Sequence, residues 1–208
     1  MIKMDGIFYD DWKVLTEARN VKSVYLTHLI RAYDNEKAYK TLVDILDDKM
    51  LKASFSLRNN IRTVKGDKKV VCFQDASLDG IKEIIEGERW CEIPQRYQEF
   101  GIQIDKRMLF SEGARPVIYD GKEIFQFIRE DIHWRVVNLD LNINKMKCLD
   151  WTHECEWRIP GDVTITRFPF KVIVKTEEYK KRLLKEDVAK RLDLKEKDIY
   201  VKKTLQRV

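Results

Sequence analysis

The spacing of apolar residues along this chain predicts short strands that alternate with helices and irregular loops. Residues 23–28 alternate apolar and polar side chains, as a half-buried strand does. Asn35 is predicted to cap a helix that runs to about Asp48, because the apolar residues that follow recur every three or four positions. Further strands are predicted over residues 51–55, 70–73, 101–104, 115–119, 134–139 and 170–174, and further helices over residues 77–85, 122–130 and 177–191.

These elements predict the fold class. They lack the regular strand–helix–strand rhythm of a doubly wound sheet, and the sequence contains neither GxGxxG nor a P-loop. We therefore expect an α+β fold whose bent or split central sheet, with mixed and antiparallel strands, is flanked by helices. The 208 residues fit one domain. We expect a body over residues 1–170 and a basic strand–helix segment over residues 171–208, packed on the same domain.

Composition and charge indicate where the protein is located and which partners it could contact. Charged residues make up 36% of the chain, and no stretch approaches the roughly 20 apolar residues of a membrane span. The first six residues lack the apolar run of a signal peptide, which favours a cytoplasmic location. Residues 171–208 carry thirteen Lys or Arg against seven Asp or Glu, within a net charge of +5. This basic segment either contacts nucleic acid or is a solvated surface helix.

The cysteines and histidines do not form a recognisable metal motif. Four cysteines show no CxxC pair, and His28, His133 and His153 are scattered along the chain. Zinc sites require ligands at closer, regular spacing. His153 and Cys155 are two positions apart and would face the same side of a strand, next to a large tryptophan. This arrangement does not favour a metal ion shared by the two side chains. We therefore expect no metal.

The pair Glu154 and Glu156 is the strongest candidate for chemistry. In an extended segment, residues two positions apart project from one face, which Arg158 continues. A fixed carboxylate pair can orient a sugar hydroxyl, stabilise an oxocarbenium ion or activate a nucleophile. The alternative is a solvated strand edge on which Arg158 forms a salt bridge with one glutamate.

Several segments between residues 24 and 165 together carry a resemblance to a known group of proteins. The longest are residues 100–119 and residues 151–158, and the others are Thr27-His28, residues 42–46, residues 51–54 and Cys72-Phe73. Taken together, they resemble the AbiGi-like group of abortive-infection proteins of bacteria and phages. The resemblance leaves the basic C-terminal segment outside it.

The order of some of these segments carries a second, more remote resemblance. Thr27-His28 ends a predicted strand, residues 42–46 and 51–54 follow, and Glu156 lies on a late strand. This order resembles that of ADP-ribosyltransferases, including the DarT-type toxins that modify DNA. Those proteins begin with a strand ending in His, continue with a Leu-x-x-Ile-Leu helix and a Gly/Lys-x-Leu-x-Ser return, and end with a catalytic glutamate on a late strand. The Glu154-x-Glu156 pair is similar to the arginine-modifying branch.

This resemblance implies NAD as the substrate and a role for each site residue. Glu156 is expected to stabilise the positive charge on the anomeric carbon, and Glu154 to act as general base. His28, beside Thr27, is expected to bind the adenosine-side ribose. Tyr97 or Tyr119 would stack on nicotinamide, and Arg31 or Arg115 would pair with the pyrophosphate.

Two other functions remain open from the sequence. The Ser-Thr-Ser motif of the transferases is not recognisable here. One alternative is therefore a non-catalytic antitoxin, inhibitor or sensor that uses the same fold to bind a nucleotide or a protein. Alternatively, Asp150, Glu154 and Glu156 would hold Mg²⁺ in a nuclease, because clustered oxygen atoms suit that ion. The three hypotheses differ in one geometric respect: a transferase requires His28 and Glu156 to meet in one cleft.

Overall fold

The computed structural model describes residues 22–58, 61–90, 96–142, 144 and 149–201. Seven strands form the central sheet, in the order β13-β12-β6-β1-β5-β10-β7. They are β1 (Tyr25–Arg31), β5 (Val70–Gln74), β6 (Tyr97–Asp105), β7 (Arg115–Pro116), β10 (Glu156–Pro160), β12 (Phe170–Val174) and β13 (Ile199–Val201). Neighbouring strands are antiparallel except β12 and β13, which are parallel, so the sheet is mixed.

The described residues also form smaller strand pairs, five α-helices and short 3₁₀ helices. The other strands are β2 (Met50–Leu51), β3 (Leu57–Arg58), β4 (Ile61–Arg62), β8 (Ile118–Asp120), β9 (Val136–Asn138) and β11 (Val163–Thr164). The helices are α1 (Asn35–Asp48), α2 (Leu78–Trp90), α3 (Lys106–Ser111), α4 (Glu177–Lys185) and α5 (Asp187–Arg191). The predicted α+β class with a mixed sheet flanked by helices is confirmed.

The apolar core lies on both faces of this sheet. On β1, Leu26 and Ile30 point into the larger cluster, which includes the buried residues of α1 such as Leu42. Leu29 points the other way and packs with Ile81 of α2 in a second, smaller cluster. Alternation along β1 therefore covers one face with α1 and the other with α2.

The basic C-terminal segment is part of this arrangement. Its strand β12 lies between β6 and β13, and Val172 is fully buried. Its helices are tied to α1, since Arg182 forms an ion pair with Glu36 at 2.7 Å and Arg191 pairs with Asp47. Some of the positive charge is therefore directed at acidic residues of the same chain.

No helix in the described ranges combines the length and apolar character required to cross a bilayer.

Candidate functional site

A cleft opens where the central sheet divides between β1 and β5. In these described strands, the pairing of β1 with β5 is limited to Thr27 opposite Gln74. From this point β5 continues beside β10 over five residue pairs, while β1 continues beside β6. The two strands therefore separate, and the space beside them is a cleft of about 260 Å³.

This cleft gathers most of the site residues predicted from the sequence. They come from β1, from β6, from the first residue of β10 and from the turn that precedes β10, which are far apart in the chain but close in space. The predicted residues in its lining are Thr27, His28, Arg31, Tyr97, Glu154 and Glu156.

His28 bridges the gap between the separating strands. Its Nδ1 lies 2.9 Å from the carbonyl oxygen of Cys72 on β5, and its ring meets that of Phe73 edge-on. Burial lowers the pKa of His28, the hydrogen bond to Cys72 opposes this, and the nearby Arg31 adds to the lowering. A carbonyl accepts only a protonated nitrogen, so in the neutral ring Nδ1 carries the hydrogen and Nε2 is an acceptor.

Glu156 begins β10 and is held by a two-point ion pair. Arg158 donates from Nε to one carboxylate oxygen at 2.8 Å and from Nη2 to the other at 3.1 Å. The same guanidinium, 2% exposed, donates through Nη1 to the carbonyl oxygens of Trp134 and Val136. The predicted salt bridge between Arg158 and one glutamate is present, and it fixes the orientation of a carboxylate that still lines the cleft.

The prediction that Glu154 and Glu156 share a strand is wrong. Residues Thr152–Glu154 form a turn of 3₁₀ helix, and Cys155 adopts a left-handed conformation with φ of 44°. That conformation is uncommon for a residue with a side chain, and it turns the backbone sharply before β10. A hydrogen bond from the backbone N–H of Asp75 to the Cys155 carbonyl holds the turn at 3.0 Å. Glu154 therefore lines the cleft from this turn, whereas Glu156 lines it from the first position of β10.

A cluster of arginine and tyrosine surrounds Glu154. Arg96 donates to its carboxylate at 2.6 Å, and the Arg96 guanidinium lies 5.1 Å from the centre of the Tyr97 ring. Arg31 also lies over this ring and donates to the Tyr97 hydroxyl at 3.1 Å and to Ser56 at 3.0 Å. The Tyr97 ring is thus buried against two cations. Burial raises the pKa of the Tyr97 hydroxyl.

Arg115 and Tyr119 lie outside the lining of the cleft. Arg115 donates to the carbonyl oxygens of Phe110 and Ala114 and packs on the Phe110 ring. The Tyr119 hydroxyl accepts a hydrogen bond from the backbone N–H of Glu156 at 2.9 Å, so Tyr119 helps to hold the backbone of a cleft residue in place. Sequence reasoning assigned ligand contacts to both, but their observed contacts are to this chain.

Asp150 also lies outside the lining of the cleft. It accepts hydrogen bonds from the backbone N–H and the hydroxyl of Thr152, at 2.8 and 2.7 Å. Among the described residues, no group of three or more His, Cys, Asp and Glu side chains is placed to hold a metal ion.

Gln74 is a cleft residue that the sequence analysis missed. It is 4% exposed, and neither its Nε2 nor its Oε1 has a hydrogen-bond partner within the described ranges. Leaving a buried polar group unpaired costs on the order of 1–3 kcal/mol. The signal in the sequence was a single amide at the end of the apolar run Val70–Gln74. Lys52 and Ser54, which follow β2, were also missed as lining residues.

Comparison of the chain with protein families, with curated proteins and with solved structures gives no match in any of the three.

Proposed function

We propose that this chain is an ADP-ribosyltransferase-like protein that binds NAD in the cleft and cleaves its nicotinamide–ribose bond. The observation that carries the proposal is the convergence of His28 with Glu154 and Glu156 on one cleft in a dividing sheet. A transferase requires this meeting of distant segments, whereas a solvated strand edge does not. The resemblance of the sequence to the transferases supports the same conclusion.

The residues of the cleft suit this reaction. As the bond breaks, its electron pair leaves with nicotinamide and positive charge develops on the anomeric carbon. The Glu156 carboxylate, held in place by Arg158, supplies a fixed negative charge for that carbon. Nε2 of His28 accepts a ribose hydroxyl, and Arg31 offers its guanidinium to the pyrophosphate. Glu154, oriented by Arg96, accepts the proton of the incoming nucleophile.

Nicotinamide release from NAD tests the proposal directly. The wild-type protein is expected to release nicotinamide, and Glu156→Gln is expected to lower the rate roughly 100-fold or more, because a preorganised charge is removed. Glu186→Gln is the matched control. Glu186 accepts a hydrogen bond from Tyr39 at 2.9 Å outside the cleft, so its replacement should leave the rate unchanged.

Thermal unfolding of each variant accompanies these rates. Glu156→Gln also weakens the pairing of the buried Arg158, so a low rate counts only where the variant remains folded at the assay temperature. Equal release by wild type and Glu156→Gln contradicts the assignment of Glu156. Absence of release and of NAD binding by the wild type contradicts the proposed function.

A non-catalytic binding protein is the second candidate, and one observation favours it. Both cleft carboxylates are already paired with arginines, Glu154 with Arg96 and Glu156 with Arg158. Such pairs can shape a ligand site without any bond being cleaved. Calorimetry separates the two functions, since NAD binding without nicotinamide release selects a sensor, inhibitor or antitoxin. The metal-dependent nuclease has no comparable support, because Asp150 lies outside the cleft lining and does not form a three-ligand group with Glu154 and Glu156.

A role in phage defence or in a toxin system is part of the proposal and is supported by the sequence resemblance alone. Expression of wild type and Glu156→Gln in a bacterial host tests it. A toxin slows growth in the wild-type form only, and a defence protein lowers phage yield in the wild-type form only.

A further inference from the structure

We propose that Gln74 recognises the ligand, and that the group it reads is an uncharged carboxamide. The proposed reaction gives this residue no role, yet Gln74 lines the cleft at the point where β1 and β5 separate. Only the choice of the nicotinamide ring as the natural carrier of that carboxamide rests on the proposed function.

The register of the sheet sets Gln74 beside the candidate catalytic carboxylate. Gln74 is opposite Thr27 of β1 on one side and opposite Glu156 of β10 on the other. Directly opposed residues of antiparallel strands project from the same face, with Cβ atoms about 5 Å apart. A group bound by Gln74 is therefore adjacent to a group bound by Glu156.

The amide of Gln74 differs from the other buried glutamine amides of the described chain. Gln98 donates from Nε2 to the Ala32 carbonyl at 3.2 Å, and Gln103 donates from Nε2 to the Thr27 hydroxyl at 2.9 Å. Gln74 is buried to the same degree, but both of its polar atoms lack a partner in the described residues. Buried amides are normally hydrogen-bonded, so an unpartnered one that lines a cleft indicates a ligand that completes it.

The chemistry of the amide selects the ligand group. Oε1 accepts and Nε2 donates in one plane, so both are satisfied by a group that offers a donor and an acceptor side by side. A carboxamide does this. A carboxylate can use only Nε2 and is repelled by the neighbouring Glu156, while an ammonium group can use only Oε1. The adenine edge offers the same pattern, but the position beside Glu156 favours the ring that the reaction releases.

Binding of benzamide, measured by calorimetry with benzoate as the isosteric comparison, tests the inference. The wild-type protein is expected to bind benzamide and to bind benzoate at least ten-fold more weakly. Gln74→Met keeps the length of the side chain but removes both polar atoms. We expect it to weaken benzamide binding about 10- to 100-fold and to leave the melting temperature of the free protein unchanged or raised, because no internal hydrogen bond is lost.

Gln103→Met is the matched control. It removes an equally buried amide from strand β6, on the other side of β1 from β5, and this amide is bonded to Thr27 and lies outside the cleft lining. It is expected to lower the melting temperature and to leave benzamide binding within two-fold of wild type. Should Gln74→Met not fold, Gln74→Asn decides the matter, since it withdraws the amide by one methylene and should also weaken binding.

The outcomes separate this inference from the proposed function. If benzamide binding depends on Gln74 but NAD is not turned over, the carboxamide site is supported and the proposed transferase activity is contradicted. NAD turnover with an unchanged KM in Gln74→Met retains the transferase and overturns the inference. Absence of benzamide binding by wild type overturns the inference, as does a Gln74-dependent loss of adenosine binding in place of benzamide binding.

Discussion

The neutral ring of His28 links the two separating strands, so we expect protonation of His28 to lower the free energy of unfolding. Burial, the largest cause, lowers the pKa of His28 in the folded chain below its ordinary value of 6.5. As the pH falls through 6.5 the unfolded chain therefore takes up the proton more readily, and the free energy of unfolding decreases. Urea denaturation at about pH 7.5 and about pH 5.5 should show a larger decrease for wild type than for His28→Gln. Equal decreases would show that His28 is not the group responsible.

Arg158 is the residue on which the geometry of Glu156 depends. It is 2% exposed and donates to the Glu156 carboxylate and to two carbonyl oxygens. Arg158→Leu leaves these acceptors without a donor, and we expect a loss of about 3–5 kcal/mol in the free energy of unfolding. Arg167→Leu is the control, because the Arg167–Glu112 ion pair is exposed and should contribute little. Chemical denaturation of both variants measures the difference, and similar values for the two would contradict this account.

At the scale of elements, sequence patterns located the segments whose structure is decided locally. The strand Phe170–Val174 agrees with its predicted bounds and the predicted helix ends at Asp48, since the apolar spacing of each indicates which face is buried. The helix is capped by Asp34, one residue before the predicted cap Asn35. The helix predicted over residues 177–191 is divided at Glu186, whose backbone is extended and whose carboxylate binds Tyr39. The turn at Cys155 depends likewise on a distant partner, Asp75, which no local pattern contains.

The start of α2 provides a test of one such local signal. Ser77 directly precedes this helix, and its hydroxyl accepts a hydrogen bond from the backbone N–H of Gly80 at 3.0 Å. Ser77→Ala should lower the free energy of unfolding by about 1 kcal/mol, because a helix N–H loses its acceptor. Ser111→Ala, on the exposed end of α3, removes a hydroxyl that donates to the Arg107 carbonyl and should have a smaller effect. Thermal denaturation compares them, and equal losses would argue against capping.

At the scale of the whole molecule, the site is a product of sheet topology. The sequence identified His28 and Glu156 by residue type, but their meeting depends on β5 lying between β1 and β10 and leaving β1 after a single pair. Strand order and the point of separation are set by packing of distant segments, which periodicity does not report. Gln74 was missed for the same reason. A glutamine in an apolar strand indicates a ligand site only once the structure shows that no described residue hydrogen-bonds its side-chain amide.

The place of β12 in the sheet leads to a prediction about the boundary near residue 170. Although residues 171–208 differ from the body in charge, β12 pairs with β6 on one side and β13 on the other, and Val172 and Val174 are fully buried. A chain ending at residue 170 would expose the edge of β6 and the apolar face beneath α4, so we expect it to lose cooperative unfolding. Circular dichroism during heating measures this, with the full-length chain as control. A sharp transition in the shortened chain would show instead that the basic segment is a separable appendage, and that the cleft forms without it.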